Sequence, residues 1–390
     1  MHSLAKPVAP NGYTARLMLA FLATAGFFYV NLMPAIVSGL INGLGFSNQD
    51  AGFIGSLNIY GAAFGAFAAI FIIRKIQWKP VALFLLVVLI AMDGFSMLID
   101  QELTMMIMRS VHGFVGGLLV GISFAVIART EDPHKTFGML LFVQFGLGGL
   151  GVMLLPPLVP IMGSWILFAS LIAFCVISLI MLQFLPDYPV QIRDPKQIIA
   201  PVQKRPLGFA IFSVFLFQAA NMALYAYIID LGEVAGLNLD NTISPALGVS
   251  AWLGLAGSGF VVLMGAKFGR TLPILGGILI TAAATFALHY SFHEWVFWLA
   301  NILVGITWAF SIAYLLGVCS EFDKAGQMAA LGGFASKMGL ASGPMFAAFI
   351  VADSEYGQLI TIATVLLIAA AFISLYPSRI LDNQSAKESI

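Results

Sequence analysis

The chain has 390 residues, of which 60% are hydrophobic and 9% charged, with a formal net charge of zero and a mean hydropathy of +0.98. A soluble domain carries roughly 25% charged residues, so too little polar surface exists here to cover a water-exposed fold. Composition excludes a soluble enzyme or nucleic-acid-binding module and points to a polytopic membrane protein. The abundance of Gly and Phe without strict alternation fits lipid-embedded helices rather than a β-barrel.

The N-terminal stretch up to Arg16 is polar. The apolar run from Leu17 to Leu40 exceeds the roughly 7–15 residues of a signal-peptide core, so it reads as an uncleaved first span. With about 20 apolar residues needed per span, twelve candidates follow: 15–40, 48–73, 79–99, 103–128, 137–160, 164–185, 207–230, 243–267, 271–290, 294–319, 327–351 and 356–377. The longest polar interruption, Asp187 to Pro206, separates six spans from six. The expected fold class is therefore an all-α membrane protein, twelve transmembrane helices in two pseudo-symmetric six-helix bundles. Residues 1–186 form the N-terminal bundle, 187–206 a cytoplasmic linker, 207–378 the C-terminal bundle and 379–390 a cytoplasmic tail. With a cytoplasmic N-terminus, sixteen of the eighteen Lys and Arg residues fall on cytoplasmic segments and none in an external loop, as the positive-inside rule requires. The location expected is the cell inner membrane, multi-pass, with both termini cytoplasmic. Cys175 and Cys319 lie in or beside apolar segments and form no disulfide framework, and no metal-ligand spacing occurs.

The two remaining cations, Arg109 and Lys337, lie within spans, where an ionisable group is a functional-site hypothesis by default. Taken in chain order, Tyr29 and Asn31 in the first span and Asn58 in the second are weaker polar candidates. Asp93 and Arg109 each lie eight residues from position 101, the middle of an external turn, so an antiparallel hairpin brings them level. Two readings stay open: a structural ion pair, or groups that handle substrate or protons. His112 shares a helix face with Arg109 and could titrate near physiological pH, although such a histidine is more often a satisfied packing residue. Gly113, Gly117 and Gly121, at spacings of four, let a second helix approach closely in lipid. Gln218, Asn221 and Tyr225 make one stripe on the seventh span, and Asn301 and Trp308 share a face of the tenth. Lys337 lies about 11 residues, or roughly 16 Å, into the eleventh span, deeper than a lysine stem can snorkel. It must face a wet cavity, pair with an acid or anion, or lose its proton.

An internal repeat at an offset of 192 or 193 residues places Arg109-xxx-Gly113 on Asn301-xxx-Gly305, Gln144 on Lys337, and Arg74 on Lys267. At this point the sequence resembles the major facilitator superfamily over essentially its whole length. Arg109-Ser-Val-His-Gly113 is similar to the fourth-helix motif R-x-x-Q-G, with His112 in the glutamine position. Ala266-Lys-Phe-Gly-Arg270 is similar to the D-R-x-G-R loop after the eighth helix, and Ile73-Arg74-Lys75 is its degraded counterpart after the second. Both copies lack the acidic residue. The resemblance implies two bundles around a central cavity lined by spans 1, 4, 7 and 10, and a cytoplasmic gate built from Arg74, Lys75, Lys267, Gly269 and Arg270.

Two interior cations and a modest polar set against one deep acid suit a small organic anion, a carboxylate with an apolar or aromatic part. The expected activity is secondary active transport by alternating access, as proton-coupled symport. The substrate-binding candidates are Tyr29, Asn31, Arg109, Gln144, Gln218, Asn221, Tyr225, Asn301, Trp308 and Lys337, and the proton-coupling candidates Asp93, Arg109 and His112. The alternative is a proton-driven exporter of drugs or amphipathic metabolites. No nucleotide loop or nucleophile constellation supports an enzyme. No cofactor, metal or nucleic acid is expected, and the partners are substrate, protons and lipid around a monomer.

Overall fold

The computed structural model describes residues 7–73, 75–189, 203–265, 267–322, 329–352 and 355–388. Every regular element among the described residues is helical. The chain divides into two compact units, Met1–Arg193 and Asp194–Ile390. Among the described residues, ten helices are long and apolar enough to cross a membrane, and two shorter apolar ones, Tyr13–Ala25 and Met33–Leu44, accompany them.

The first unit opens with α1 (Tyr13–Ala25), α2 (Phe28–Asn31) and α3 (Met33–Leu44). The continuous span expected over 15–40 is therefore broken twice. Gly26 and Phe27 end the first piece, and Leu32 leaves helical geometry just before Pro34 restarts it as a first-turn proline. Hydropathy alone does not register such breaks, because the residues at them stay apolar. Next come α4 (Asn48–Ile72), α5 (Trp78–Ser96), α6 (Glu102–Ile127), α7 (Pro133–Met162) and α8 (Trp165–Leu182). Ser47 and Asp132 cap α4 and α7 by accepting backbone N–H groups of Asp50 and Lys135.

The second unit contains α9 (Lys204–Ala226), α10 (Ile228–Val234), a π-helical turn at Leu239–Ile243 and α11 (Ser244–Met264). It continues with α12 (Thr271–Ala287), α13 (Glu294–Glu321), α14 (Ala329–Ile350) and α15 (Tyr356–Glu388). The seventh span, expected unbroken over 207–230, is interrupted at Tyr227. The segment expected as a tail from 379 continues α15 as helix to Glu388.

The two units repeat one packing scheme. In the first, α6 packs on α4, α5 and α1, while α8 packs on α5 and α1, and α7 on α1. In the second, α13 packs on α11, α12 and α9, while α15 packs on α12 and α9, and α14 on α9. The correspondence reaches single atoms. A Cβ at Gly65 would overlap the Phe114 carbonyl oxygen, and 192 residues on, a Cβ at Gly257 would overlap that of Ile306. Asn58 Nδ2 donates to the Arg109 carbonyl at 3.0 Å, and Ser250 Oγ donates to the Asn301 carbonyl, again 192 residues later.

The seam between α4 and α6 explains the glycine stripe: Gly113 and Gly117 lie against the carbonyls of Asn58 and Ala62, with room for hydrogen alone. Gly117→Val is expected to destabilise the protein by about 1–3 kcal/mol, the usual range for overpacking. Gly138, where an added Cβ would meet nothing within 4 Å, supplies the control. Unfolding in detergent should separate Gly117→Val from Gly138→Val; equal stability of the two would discount the seam. On the outside, Phe67, Phe71, Phe84 and Phe142 of the first unit and Phe260, Phe349, Val365 and Phe372 of the second stand exposed. So much exposed apolar surface suits lipid rather than water.

Candidate functional site

The first unit holds a buried charge cluster. The α5–α6 turn at Met97 to Gln101 returns the chain so that Asp93 and Arg109 meet. Arg109 Nη1 lies 2.7 Å from Asp93 Oδ1, with both side chains fully buried. Arg109 Nη2 donates to the Met92 carbonyl at 3.3 Å and to Ser96 Oγ. Its guanidinium stands 5.0 Å from the Phe168 ring centroid and 5.9 Å from that of Tyr29, near enough for cation–π attraction. His112 Nε2 lies 3.3 Å from the same Asp93 oxygen. Oδ1 thus gathers both partners, while Asp93 Oδ2, Arg109 Nε and the Tyr29 hydroxyl have no hydrogen-bond partner among the described residues. Asn58 Nδ2 reaches His112 Nδ1 as well as the Arg109 carbonyl, both at 3.0 Å. Asn31 Nδ2 ties α2 to α7 by donating to the Gln144 carbonyl at 2.9 Å.

The second unit holds a polar–aromatic patch where α9, α13 and α14 meet. Gln218 Nε2 donates to Ser336 Oγ at 2.8 Å, and Trp308 Nε1 donates to Gln218 Oε1. Such bonds are worth about 0.6 kcal/mol each in membranes, so they orient the amide more than they stabilise the fold. Tyr225 meets Trp308 edge-on at 5.7 Å between ring centroids. Trp308, one of the substrate-binding candidates, thus spends its indole N–H on Gln218. Asn221 and Asn301 turn inward on their own helices, donating to the carbonyls of Phe217 and Phe297 at 2.8 Å each. Those two amides are therefore not brought to the patch by a direct bond. Lys337 is half-buried on α14 and follows Ser336 directly. It lies eight residues into that helix, about 12 Å from its first residue at 1.5 Å per residue.

A third cluster gathers at the start of α12. Arg270 makes a two-pronged pair with Glu321, Nε to Oε1 at 3.1 Å and Nη2 to Oε2 at 2.8 Å. Glu321 raises the pKa of Arg270 further, first through that hydrogen bond. Asp382 of α15 accepts the backbone N–H groups of Arg270 and Thr271 at 2.7 and 3.0 Å, capping the positive end of α12. Gly269, at a φ of +70°, turns the chain beneath that carboxylate. Lys75 and Lys267 are exposed, and Arg74 lies outside the described residues. The sequence motif shows no acid of its own, yet Arg270 obtains two from within its own unit. Reading by motif missed Glu321, Asp382, Ser336, Ser96 and Phe168. Only Ser336, as the neighbour of Lys337, left a sequence signal.

The family model described as Major Facilitator Superfamily matches residues 17–348. No curated protein matches the chain. Among solved structures, a mutant of the nucleoside transporter NupG aligns with a TM-score of 0.72 at 14% identity, covering 93% of this chain and 99% of that one. A bacterial homolog to the human lysosomal transporter Spinster, inward-facing and unoccupied, aligns with a TM-score of 0.67 at 14% identity, covering 95% and 97%. The human organic anion transporter MFSD10 (TETRAN) aligns with a TM-score of 0.65 at 14% identity, covering 94% and 100%. At such identities the likeness concerns the fold alone.

Proposed function

As the chain belongs to the Major Facilitator Superfamily, we propose that it is a secondary active transporter that carries a small organic anion across the inner membrane. The anion is a carboxylate with an apolar or aromatic part, moved by alternating access in symport with protons. The observation that carries this reading is the charge of the two units' interiors. Arg109 is neutralised by Asp93 at 2.7 Å. In α9 to α14, Lys337 is the one Lys or Arg more than a turn from a helix end, and the buried acid of that unit, Asp230, lies on α10. Lys337 follows in sequence Ser336, which accepts from the Gln218 amide, and the Gln218 amide with the Trp308–Tyr225 pair would suit a ligand with one polar end and one flat or apolar end.

In this reading α1–α3 act as one broken span, α9–α10 as another, and α14 spans despite its lysine, making six spans per unit and twelve in all. The termini and Lys75, Lys267, Gly269 and Arg270 then face the cytoplasm, and the protein works as a monomer. Asp93, Arg109 and His112 serve proton coupling. MFSD10 is described as an organic anion transporter, which agrees with the anion reading.

A second reading, export of amphipathic molecules, is favoured by one feature: an apolar groove of about 530 Å³ between α12 and α13, lined by residues such as Ile280, Ala284, Val296 and Leu303. A thermal-shift screen of purified protein against organic anions, neutral drugs and cations separates the two. A ligand at 100 times its Kd should stabilise the fold by about 2.7 kcal/mol. Aromatic carboxylates are the expected hits; stabilisation by neutral or cationic amphiphiles alone would replace the anion reading with the exporter.

A further inference from the structure

The geometry points to Asn58 as a positioning residue that holds Nδ1 of His112 as a hydrogen-bond acceptor, so that a proton reaching Nδ1 must displace the α4 amide. This deepens the coupling role given to His112 and rests on it for its functional meaning. The orientation of the amide follows from its partners. A backbone carbonyl only accepts, so the Asn58 atom 3.0 Å from the Arg109 carbonyl must be the NH2 group, and a flipped amide would set oxygen against oxygen. The same NH2 lies 3.0 Å from His112 Nδ1. An amide NH2 has two hydrogens, and two acceptors face it. Nδ1 therefore carries a lone pair, and the ring proton belongs on Nε2, which has the Asp93 oxygen at 3.3 Å to receive it. The donors run in one direction, from Asn58 through His112 to Asp93.

An imidazolium carries a second N–H at Nδ1, which would point at the Asn58 donor. Relief comes when the amide moves, and the amide also links α4 to α6. The charged and titratable groups around the ring are Asp93 from α5, Arg109 from α6 itself and Tyr29 from α2, whose ring lies 6.2 Å away. Cys175 of α8 interacts electrostatically with Asp93. The acidic group among them, Asp93, faces Nε2.

The internal repeat supplies an independent comparison. Position 250, 192 residues after Asn58, is serine, and it makes the equivalent bond to the Asn301 carbonyl. Position 304, the counterpart of His112, is valine. Where one acceptor faces the residue, a hydroxyl with one hydrogen stands; where two face it, an amide with two hydrogens stands. The seam between the helices needs only the first bond, and the second bond of Asn58 is what the histidine adds.

The test is nitrogen NMR of full-length protein labelled at histidine, with the His112 signal identified by its loss in His112→Gln. The wild type should show His112 as the neutral form protonated on Nε2, with a coupling transmitted across the hydrogen bond from the Asn58 amide to Nδ1. Asn58→Ser should keep the α4–α6 link, as Ser250 does, and at mildly acidic pH should show severalfold more Nδ1-protonated His112 than the wild type. A wild-type ring protonated on Nδ1, absence of the cross-bond coupling, or an Asn58→Ser spectrum identical to wild type would overturn the proposal. The wild-type measurement decides even if Asn58→Ser folds poorly. Proton-independent transport by a wild type with the expected spectrum would sink the coupling role of His112 and leave the positioning role of Asn58 standing.

Discussion

Asp93→Ala is expected to destabilise the protein by about 3–5 kcal/mol, because it leaves Arg109 charged in a fully buried position. The remaining partners, the Met92 carbonyl and Ser96 Oγ, are neutral, and the rings of Phe168 and Tyr29 offer only cation–π attraction. His112 would also lose the acceptor of its Nε2 proton. The measurement is chemical or thermal unfolding in detergent, read beside the yield of monodisperse protein. Replacing the pair together, Asp93→Leu with Arg109→Met, should recover most of the loss, since apolar substitution of a buried ion pair is often neutral or stabilising. The double variant also separates structure from function. Should it fold and still drive proton-dependent uptake in proteoliposomes, the pair is a structural tie. Should it fold and lose proton dependence, the pair belongs to the coupling machinery. An Asp93→Ala protein as stable as wild type would contradict the burial and pairing on which both readings depend.

The hairpin symmetry about position 101 was enough to bring Asp93 and Arg109 together, because helix rise and a short turn leave little freedom once both residues are placed. The glycines at 113 and 117 likewise announced a close helix neighbour, though not that it would be α4. The offset of 192 was visible in like residues but runs deeper in unlike ones: Asn58 and Ser250 share a hydrogen bond and no side-chain type, so no comparison of letters would pair them. What stayed hidden were breaks and long-range partners. Gly26, Phe27 and Leu32 are as apolar as their neighbours, and hydropathy is blind to helix continuity. Asp382 lies 112 residues from Arg270 in a segment that reads as a polar tail, yet its carboxylate meets the start of α12. A polar stretch in a membrane protein can be a helix that has merely left the lipid.

The repeat also shows where the two units part ways. The first keeps a cation, an acid and a histidine in one network, so its interior charge is largely balanced. The second keeps the same helix pairings but sets Asn301 where the first has Arg109, and Lys337 where the first has Gln144. Between the units, the interior cation has moved from α6 to α14. On the proposed reading, this exchange would divide proton handling and anion binding between the two units, and the division can be tested at one residue.

Lys337→Gln is expected to remove at least about half of the anion-induced stabilisation. Glutamine is one atom shorter than lysine, stays polar near Ser336 and sheds the charge, and the close packing on α9 through Gly339 and Gly343 does not involve the substituted side chain. For an anion at 100 times its wild-type Kd, the stabilisation of about 2.7 kcal/mol should fall to about 0.3–1.4 kcal/mol. Losing a charge-assisted bond of about 1.5–3 kcal/mol weakens binding roughly 10- to 150-fold, which removes at least about half of the ligand-induced stabilisation at that concentration. Gln218→Leu should act on the same ligand more weakly, since an oriented neutral amide contributes less than a cation, about 0.5–1.5 kcal/mol. The order of effect is therefore itself a result: lysine first, then glutamine. If Lys337→Gln binds anions as wild type does, the lysine is structural and the anion reading falls. If instead the variant unfolds without ligand, Lys337→Arg, which keeps the charge on a similar stem, should restore both the fold and the anion response; failure of the response in a folded Lys337→Arg would show that the site reads the geometry of the ammonium and not its charge alone.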